Sequence, residues 1–148
     1  IQDRSVLVVT NNGRSLLSQR AAGVELVLTG GEVYGDKQSL VGQFALDALS
    51  RITATKCILG VSGISVQGGI TSRVIQETAI NQMMLRRCSG PKIVVADYTK
   101  IGLEHNFFSG RLGDITHLIT DTGADLQKLD SIRCAGITVD AVEPLEDS

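Results

Sequence analysis

Five separate apolar runs in this chain end abruptly in short polar or glycine clusters. Val6 to Val9 leads into Thr10-Asn11-Asn12, Leu26-Val27-Leu28 into Thr29-Gly30-Gly31, and Ile58-Leu59-Gly60-Val61 into Ser62-Gly63. Ile93 to Ala96 runs into Asp97-Tyr98-Thr99-Lys100, and Leu118-Ile119 into Thr120-Asp121. Short β-branched runs bounded by turn residues predict strands buried on both faces, as in a parallel sheet. Ligands of open α/β sheets sit outside the carboxyl ends of the strands, so the polar clusters are where function is to be sought.

Between the runs lie segments of helical period. Over residues 41–52, Val41, Phe44, Ala45, Ala48, Leu49 and Ile52 fall on one face, which is expected to pack on the sheet. Residues 13–22, with Leu16, Leu17 and Ala21, predict a helix closed by Gly23; residues 74–87 predict a second, closed by Gly90-Pro91. Leu126 to Ala135 predicts a last short helix before a strand from Ile137 to Val142. Strands alternating with helices imply βαβ crossovers, hence an α/β fold with a mostly parallel sheet flanked by helices.

A chain of 148 residues suits one domain with one core, expected to bury about 70% of its unfolded surface. Only 3% of residues are aromatic and Gly (16) outnumbers Pro (2), which suits a Val, Ile and Leu sheet with tight turns. No run approaches the roughly 18–20 apolar residues of a membrane span. Gln2, Asp3 and Arg4 precede a run too short for a signal peptide, and a start at Ile1 almost directly on a strand suggests a fragment of a longer protein. A formal charge of −2 supplies no broad footprint for nucleic acid. Cys57, Cys88 and Cys134 lack the close pairs of a metal or redox motif and read as reduced, buried thiols of a cytoplasmic protein. The acidic tail from Glu143 to Ser148 is expected to fray.

Each candidate site has a functional and a plainer reading. Asp97 and Lys100 could face one ligand, Lys100 holding an anion and Asp97 accepting from hydroxyls; alternatively Asp97 caps the next turn and Lys100 is solvated. Thr10-Asn11-Asn12 precedes a predicted helix whose first N–H groups favour anions, yet Asn12-Gly13 is also an ordinary turn with Asn12 as its cap. Gly30-Gly31 and Gly68-Gly69-Ile70-Thr71 allow close approach of a ligand to the backbone, or simply form turns. Glu77 could accept from a sugar hydroxyl or be surface charge. P-loop, GxGxxG and GxSxG motifs are absent, and His105 and His117 lack metal-ligand spacing. Arg86-Arg87 and Lys128 read as solvated helix faces, and Phe107-Phe108 as a packed flap or subunit contact.

In order, Val9-Thr10-Asn11-Asn12, Thr29-Gly30-Gly31-Glu32, Ser39-Leu40-Val41-Gly42, Leu59 to Ile64, Gly69-Ile70-Thr71, Ala96 to Lys100 and Asp114 to Asp121 resemble one pattern. It is that of the C-terminal effector-sensing domain of DeoR-family bacterial transcriptional regulators. The resemblance implies a fold related to ribose-5-phosphate isomerase and the CoA transferases. A phosphorylated sugar or sugar alcohol would bind at the strand ends and alter repressor affinity for DNA. It also implies that Thr10, Asn11 and Asn12 line one side, Gly30 and Gly31 the floor, and Ser62, Gly63 and Ile64 another wall. Thr71, Glu77, Asp97 and Lys100 would complete the site, with no cofactor and no metal.

Residues 1–148 are then one effector-binding domain. It lacks the family's N-terminal helix-turn-helix and the first strand, whose Asp-x-Gly-Thr-Thr loop is the phosphate cradle. Tyr98-Thr99 replaces the family's usual Ser-Ser. Operator DNA would be reached only through the helix-turn-helix domain, and a homodimer or homotetramer is implied. The rival reading is an aldose–ketose isomerase in which Glu77 or Asp97 moves a proton and Lys100 steadies an enediolate. Sensing is favoured because the match spans the chain and the isomerases' Lys-Gly-Gly run is missing near Gly68. A third reading, subunit contact as the main role, is compatible with sensing.

Overall fold

Parallel pairing begins at once in the computed structural model, which describes residues 5–145. Strands β1 (Val6–Thr10) and β2 (Val24–Leu28) lie in register from Val6 opposite Val24 to Thr10 opposite Leu28. A hairpin follows, β3 (Glu32–Tyr34) against β4 (Ser39–Val41), then helix α1 (Gln43–Ser50). These elements form the first of two units, Ile1–Ile52; the second is Thr53–Ser148. Ile1 to Arg4 and the Glu146–Ser148 end of the acidic tail lie outside the described residues.

In the first unit the predicted helix over 13–22 shrinks to a five-residue 3-10 turn, Gly13–Leu17, that buries none of its residues. Ser15 Oγ donates to Asn12 O at 2.6 Å and Gly13 N to Gln38 O at 2.9 Å, so local polar partners compete with helix propagation. A stretch this short, whose Leu16 and Leu17 stay exposed, cannot sustain an α-helix. The 41–52 periodicity is realised as α1, which buries Ala45 and Leu49. Val41 instead ends β4, and Phe44, assigned to the apolar face, is 79% exposed on the first turn of the helix.

The second unit contains the larger parallel sheet. Its strands are β5 (Cys57–Gly60), β8 (Lys92–Val95), β10 (His117–Asp121) and β11 (Thr138–Val142), in spatial order β11-β10-β8-β5. Helix α2 (Ile75–Arg86) lies between β5 and β8 in the chain, and α3 (Leu126–Cys134) between β10 and β11. β6 (Gly63–Ser65), β7 (Gly69–Ser72) and β9 (Phe107–Gly110) form a small antiparallel sheet that the run pattern does not anticipate. Phe107-Phe108 therefore belongs to a strand, not a flap.

Register explains the core. Leu59, Val94, Leu118 and Val139 stand opposite one another across all four parallel strands. They join Leu85 of α2 and Leu129 and Ile132 of α3 in one buried cluster. Because side chains alternate, the neighbouring positions point the other way. There Ile58 is 61% and Val95 44% exposed, so the expectation of burial on both faces fails for these strands. Cys57 and Cys88 are buried as expected, and burial pushes the Cys57 thiol up to about 11. Cys134, at the end of α3, is exposed, contrary to expectation. Among the described residues no helix is long and apolar enough to cross a membrane.

Candidate functional site

The carboxyl ends of β5, β8 and β10 lie side by side, since these strands are parallel neighbours. Beyond β8 the chain turns at once into a 3-10 turn, Tyr98–Lys100, capped by Asp97. Asp97 Oδ1 accepts from Thr99 N at 2.9 Å and from the Thr99 hydroxyl, and Asp97 Oδ2 accepts from Lys100 Nζ at 3.1 Å. Lys100 Nζ also donates to Thr99 Oγ1 at 3.0 Å. The Thr99 and Lys100 donors hold the Asp97 carboxyl below its ordinary value. Of the plainer reading, the cap holds and the solvated lysine does not: Asp97 caps the turn, and Lys100 is oriented by it rather than free in solvent. An ammonium has three N–H donors, and these two contacts engage two of them.

Two residues outside the predicted set shape this turn. Asp121, at the end of β10, accepts from Tyr98 N at 2.6 Å and Gly123 N at 2.9 Å, tying the β8 turn to its neighbour strand. Its signal was the Thr120-Asp121 cluster closing the fifth apolar run. Lys128 of α3 sets its ammonium 3.1 Å from the place a Cβ would take on Gly102, two residues past Lys100. It is a second cation near the turn, where the sequence suggested only a solvated helix face. Thr120, adjacent to Asp121, is buried with its hydroxyl unpartnered.

The loop after β5 is more enclosed. Ser62 is half-buried and its carbonyl lies 3.1 Å from His105 Nε2. Gly63 is buried, and a Cβ there would stand 2.5 Å from Leu103 O and 2.9 Å from Thr71 Oγ1, so its bareness serves protein packing. The Ile64 side chain belongs to the core, and its carbonyl accepts from Gly102 N at 2.7 Å. That bond fastens the β8 turn to β6. Thr71 is buried and its hydroxyl accepts from His105 N at 2.9 Å. Glu77 is half-buried in the first turn of α2. Gly68 ends the β6–β7 turn and Gly69 opens β7, where a Cβ would strike Gly110 O, so a strand, not a ligand, makes the close approach there.

The first unit holds its own strand-end cluster, beyond β1 and β2. Thr10 Oγ1 accepts from Asn12 N at 3.1 Å, and Asn12 Oδ1 from Arg14 N at 3.0 Å. Asn11 exchanges two bonds with β4: its Nδ2 donates to Leu40 O at 3.1 Å and its carbonyl accepts from Leu40 N at 2.7 Å. The N–H groups of Gly13, Arg14 and Ser15, expected to favour anions, all have protein acceptors. Gly31, at φ +116°, would place a Cβ 2.5 Å from Val41 O, whereas Gly30, at φ +72°, faces open space.

The DeoR C terminal sensor domain family matches residues 1–122. The HTH-type transcriptional regulator GlpR of Haloferax volcanii is 28% identical over 138 residues, which cover 93% of this chain and 54% of that protein. The HTH-type transcriptional repressor GlcR of Bacillus subtilis is 31% identical over 116 residues, 77% of this chain and 44% of its own length. A putative aga operon transcriptional repressor of Escherichia coli O157:H7 is 28% identical over 137 residues, 90% and 50% respectively. The chain thus spans about half the length of the curated relatives it matches. With a family match over most of its residues and the α/β architecture expected of it, this chain belongs to the DeoR C-terminal sensor domain family.

Proposed function

We propose that this chain is the effector-sensing part of a DeoR-type transcriptional repressor, and that a phosphorylated sugar or sugar alcohol binds outside the carboxyl ends of β5, β8 and β10. The observation that carries the reading is the Asp97–Thr99–Lys100 cluster, in which a cation is held beside a carboxylate on one short turn between parallel neighbours. Lys100 would meet the anionic group and Asp97 a hydroxyl. Ser62, Gly63, Ile64, Thr71 and Glu77 belong to the surrounding elements and complete the proposed set in this unit. Thr10, Asn11, Asn12, Gly30 and Gly31 form the corresponding strand-end set of the first unit. Ligand binding would shift an equilibrium read out by a separate helix-turn-helix domain, in a cytoplasmic homodimer or homotetramer.

The isomerase alternative needs a base poised near neutrality. One of its two candidate bases, Asp97, departs from that requirement in the wrong direction, because its donors favour the ionised form and lower its basicity. The curated relatives are regulators and repressors by name, which supports sensing without catalysis.

The test is a thermal-shift screen of the full-length protein against sugar phosphates and their unphosphorylated parents. A ligand at 100 times its Kd adds about 2.7 kcal/mol of stability. Lys100→Ala should weaken binding of the best compound by at least about 1.5 kcal/mol, the scale of a charge-assisted hydrogen bond. Unchanged affinity would remove Lys100 from the site, and turnover of the compound would return the enzyme reading.

A further inference from the structure

At the opposite end of the same sheet lies a cavity of about 470 Å³. It is bounded by the last turns of α2, the first residue of β8, strand β9 and the 3-10 turn Leu112–Asp114. That volume lies within the range of small-molecule sites. Arg86 and Lys92 line it, with Gln82, Phe108, Ser109 and Asp114. Arg86, read from the sequence as a solvated cation, is thus one wall of a concavity.

Several of these groups are already fixed. Gln82 Nε2 donates to Phe108 O at 3.0 Å, and Asp114 Oδ2 accepts from Arg111 N at 2.8 Å. The Lys92 backbone is pinned to Thr116, whose Oγ1 accepts from Lys92 N at 2.9 Å. Ser109 is the exception. It is only 4% exposed, the residue lines the cavity, and its buried Oγ has no hydrogen-bond partner. A buried hydroxyl without a partner carries a desolvation cost that a bound acceptor would relieve.

Two cationic side chains and one unpartnered hydroxyl, against a single carboxylate already bonded to a backbone N–H, favour an anion. We infer that this cavity is a second ligand site, separate from the strand-end site, that takes a small phosphate- or carboxylate-bearing molecule. Arg86 and Lys92 hold the anionic group, Ser109 Oγ donates to it, and Asp114 accepts from a hydroxyl of the same molecule. The position, at the amino end of β8 rather than the carboxyl end, makes the two sites independently removable.

The experiment uses the full-length protein carrying Lys100→Ala, so that loss of the strand-end site cannot be confused with loss of this one. Binding of inorganic phosphate is followed by ³¹P line broadening, with acetate as competitor. Broadening should persist in that background. It should weaken about tenfold on adding Arg86→Gln, the loss expected of one charge-assisted hydrogen bond, and about threefold on adding Ser109→Ala instead. Arg86 is exposed on the helix, so its substitution should leave the melting temperature unchanged and report on binding alone. Displacement by equimolar acetate would identify the site as one for carboxylates as well; failure of acetate to compete would identify it as phosphate-selective. No broadening in the Lys100→Ala protein, or broadening indifferent to both Arg86→Gln and Ser109→Ala, overturns the inference.

Discussion

β1 and β8 carry the same sequence pattern, an apolar run closed by a polar cluster, and meet different physical settings. β8 has a parallel neighbour on each side and buries Val94 completely, in register with Leu59 and Leu118. Among the described residues β1 pairs with β2 alone, and Val8 remains 37% exposed. The polar ends differ in the same sense. After β1 the Asn11 and Asn12 side chains bond the backbone of β4 and of their own turn, whereas after β8 the Asp97 and Lys100 side chains bond each other. An apolar run therefore specifies a strand, but the number of neighbours determines how much each residue stabilises it. Where a polar cluster bonds side chain to side chain, an ion pair stays at the surface.

One substitution made twice measures the difference most directly. Val94→Ala should cost about 2–3 kcal/mol, the transfer of two methyl groups plus a residual cavity, whereas Val8→Ala should cost less than about 1 kcal/mol. Urea denaturation of both variants checks this, and equal losses would mean that β1 is as well supported as β8. A glycine pair sharpens it further. Gly69 and Gly30 have similar φ, +68° and +72°, but only Gly69 has backbone where a Cβ would go. Gly30→Ala should show the left-handed strain alone, about 1 kcal/mol, and Gly69→Ala about 2 kcal/mol or more.

Smaller effects belong to the caps. Asn12→Ala removes the acceptor of Arg14 N and should cost about 1 kcal/mol. Asp97→Asn keeps an acceptor and loses only an exposed ion pair, so its effect on stability should stay below about 1 kcal/mol. Should Asp97→Asn prove the more damaging, the turn after β8 has a structural role beyond orienting Lys100. The smallest effect is one of pH. Asp97 has a lowered folded-state value, so its contribution is fully present above the unfolded carboxylate value of about 3.9. It is lost as pH falls through the folded value. Acid titration of wild type against Asp97→Asn should therefore converge at low pH, and a gap that widens on acidification would contradict the assignment.

Periodicity and capping chemistry, which act within a few residues, were legible in the chain itself. The runs at 6–9, 26–28, 58–61, 93–96 and 118–119 each mark a strand, although Val61 and Ala96 fall just past β5 and β8; the 74–87 and 126–135 segments contain α2 and α3, and Asn12 and Asp97 are caps. The order of short motifs along the chain also pointed to the family. What the fold alone decided depends on neighbours distant in the chain. The β6-β7-β9 sheet joins residues some forty positions apart, and Ile58 and Val95 are exposed because only one face of their strands meets α2 and α3. The 13–22 segment has helical spacing yet no apolar partner, so it stops at Leu17. Asp121 and Arg86 gained their settings in the same way, one by tying the β8 turn to β10, the other by walling a cavity with Ser109. Local sequence specifies which conformations are available to a segment; burial, which requires a partner surface, selects among them.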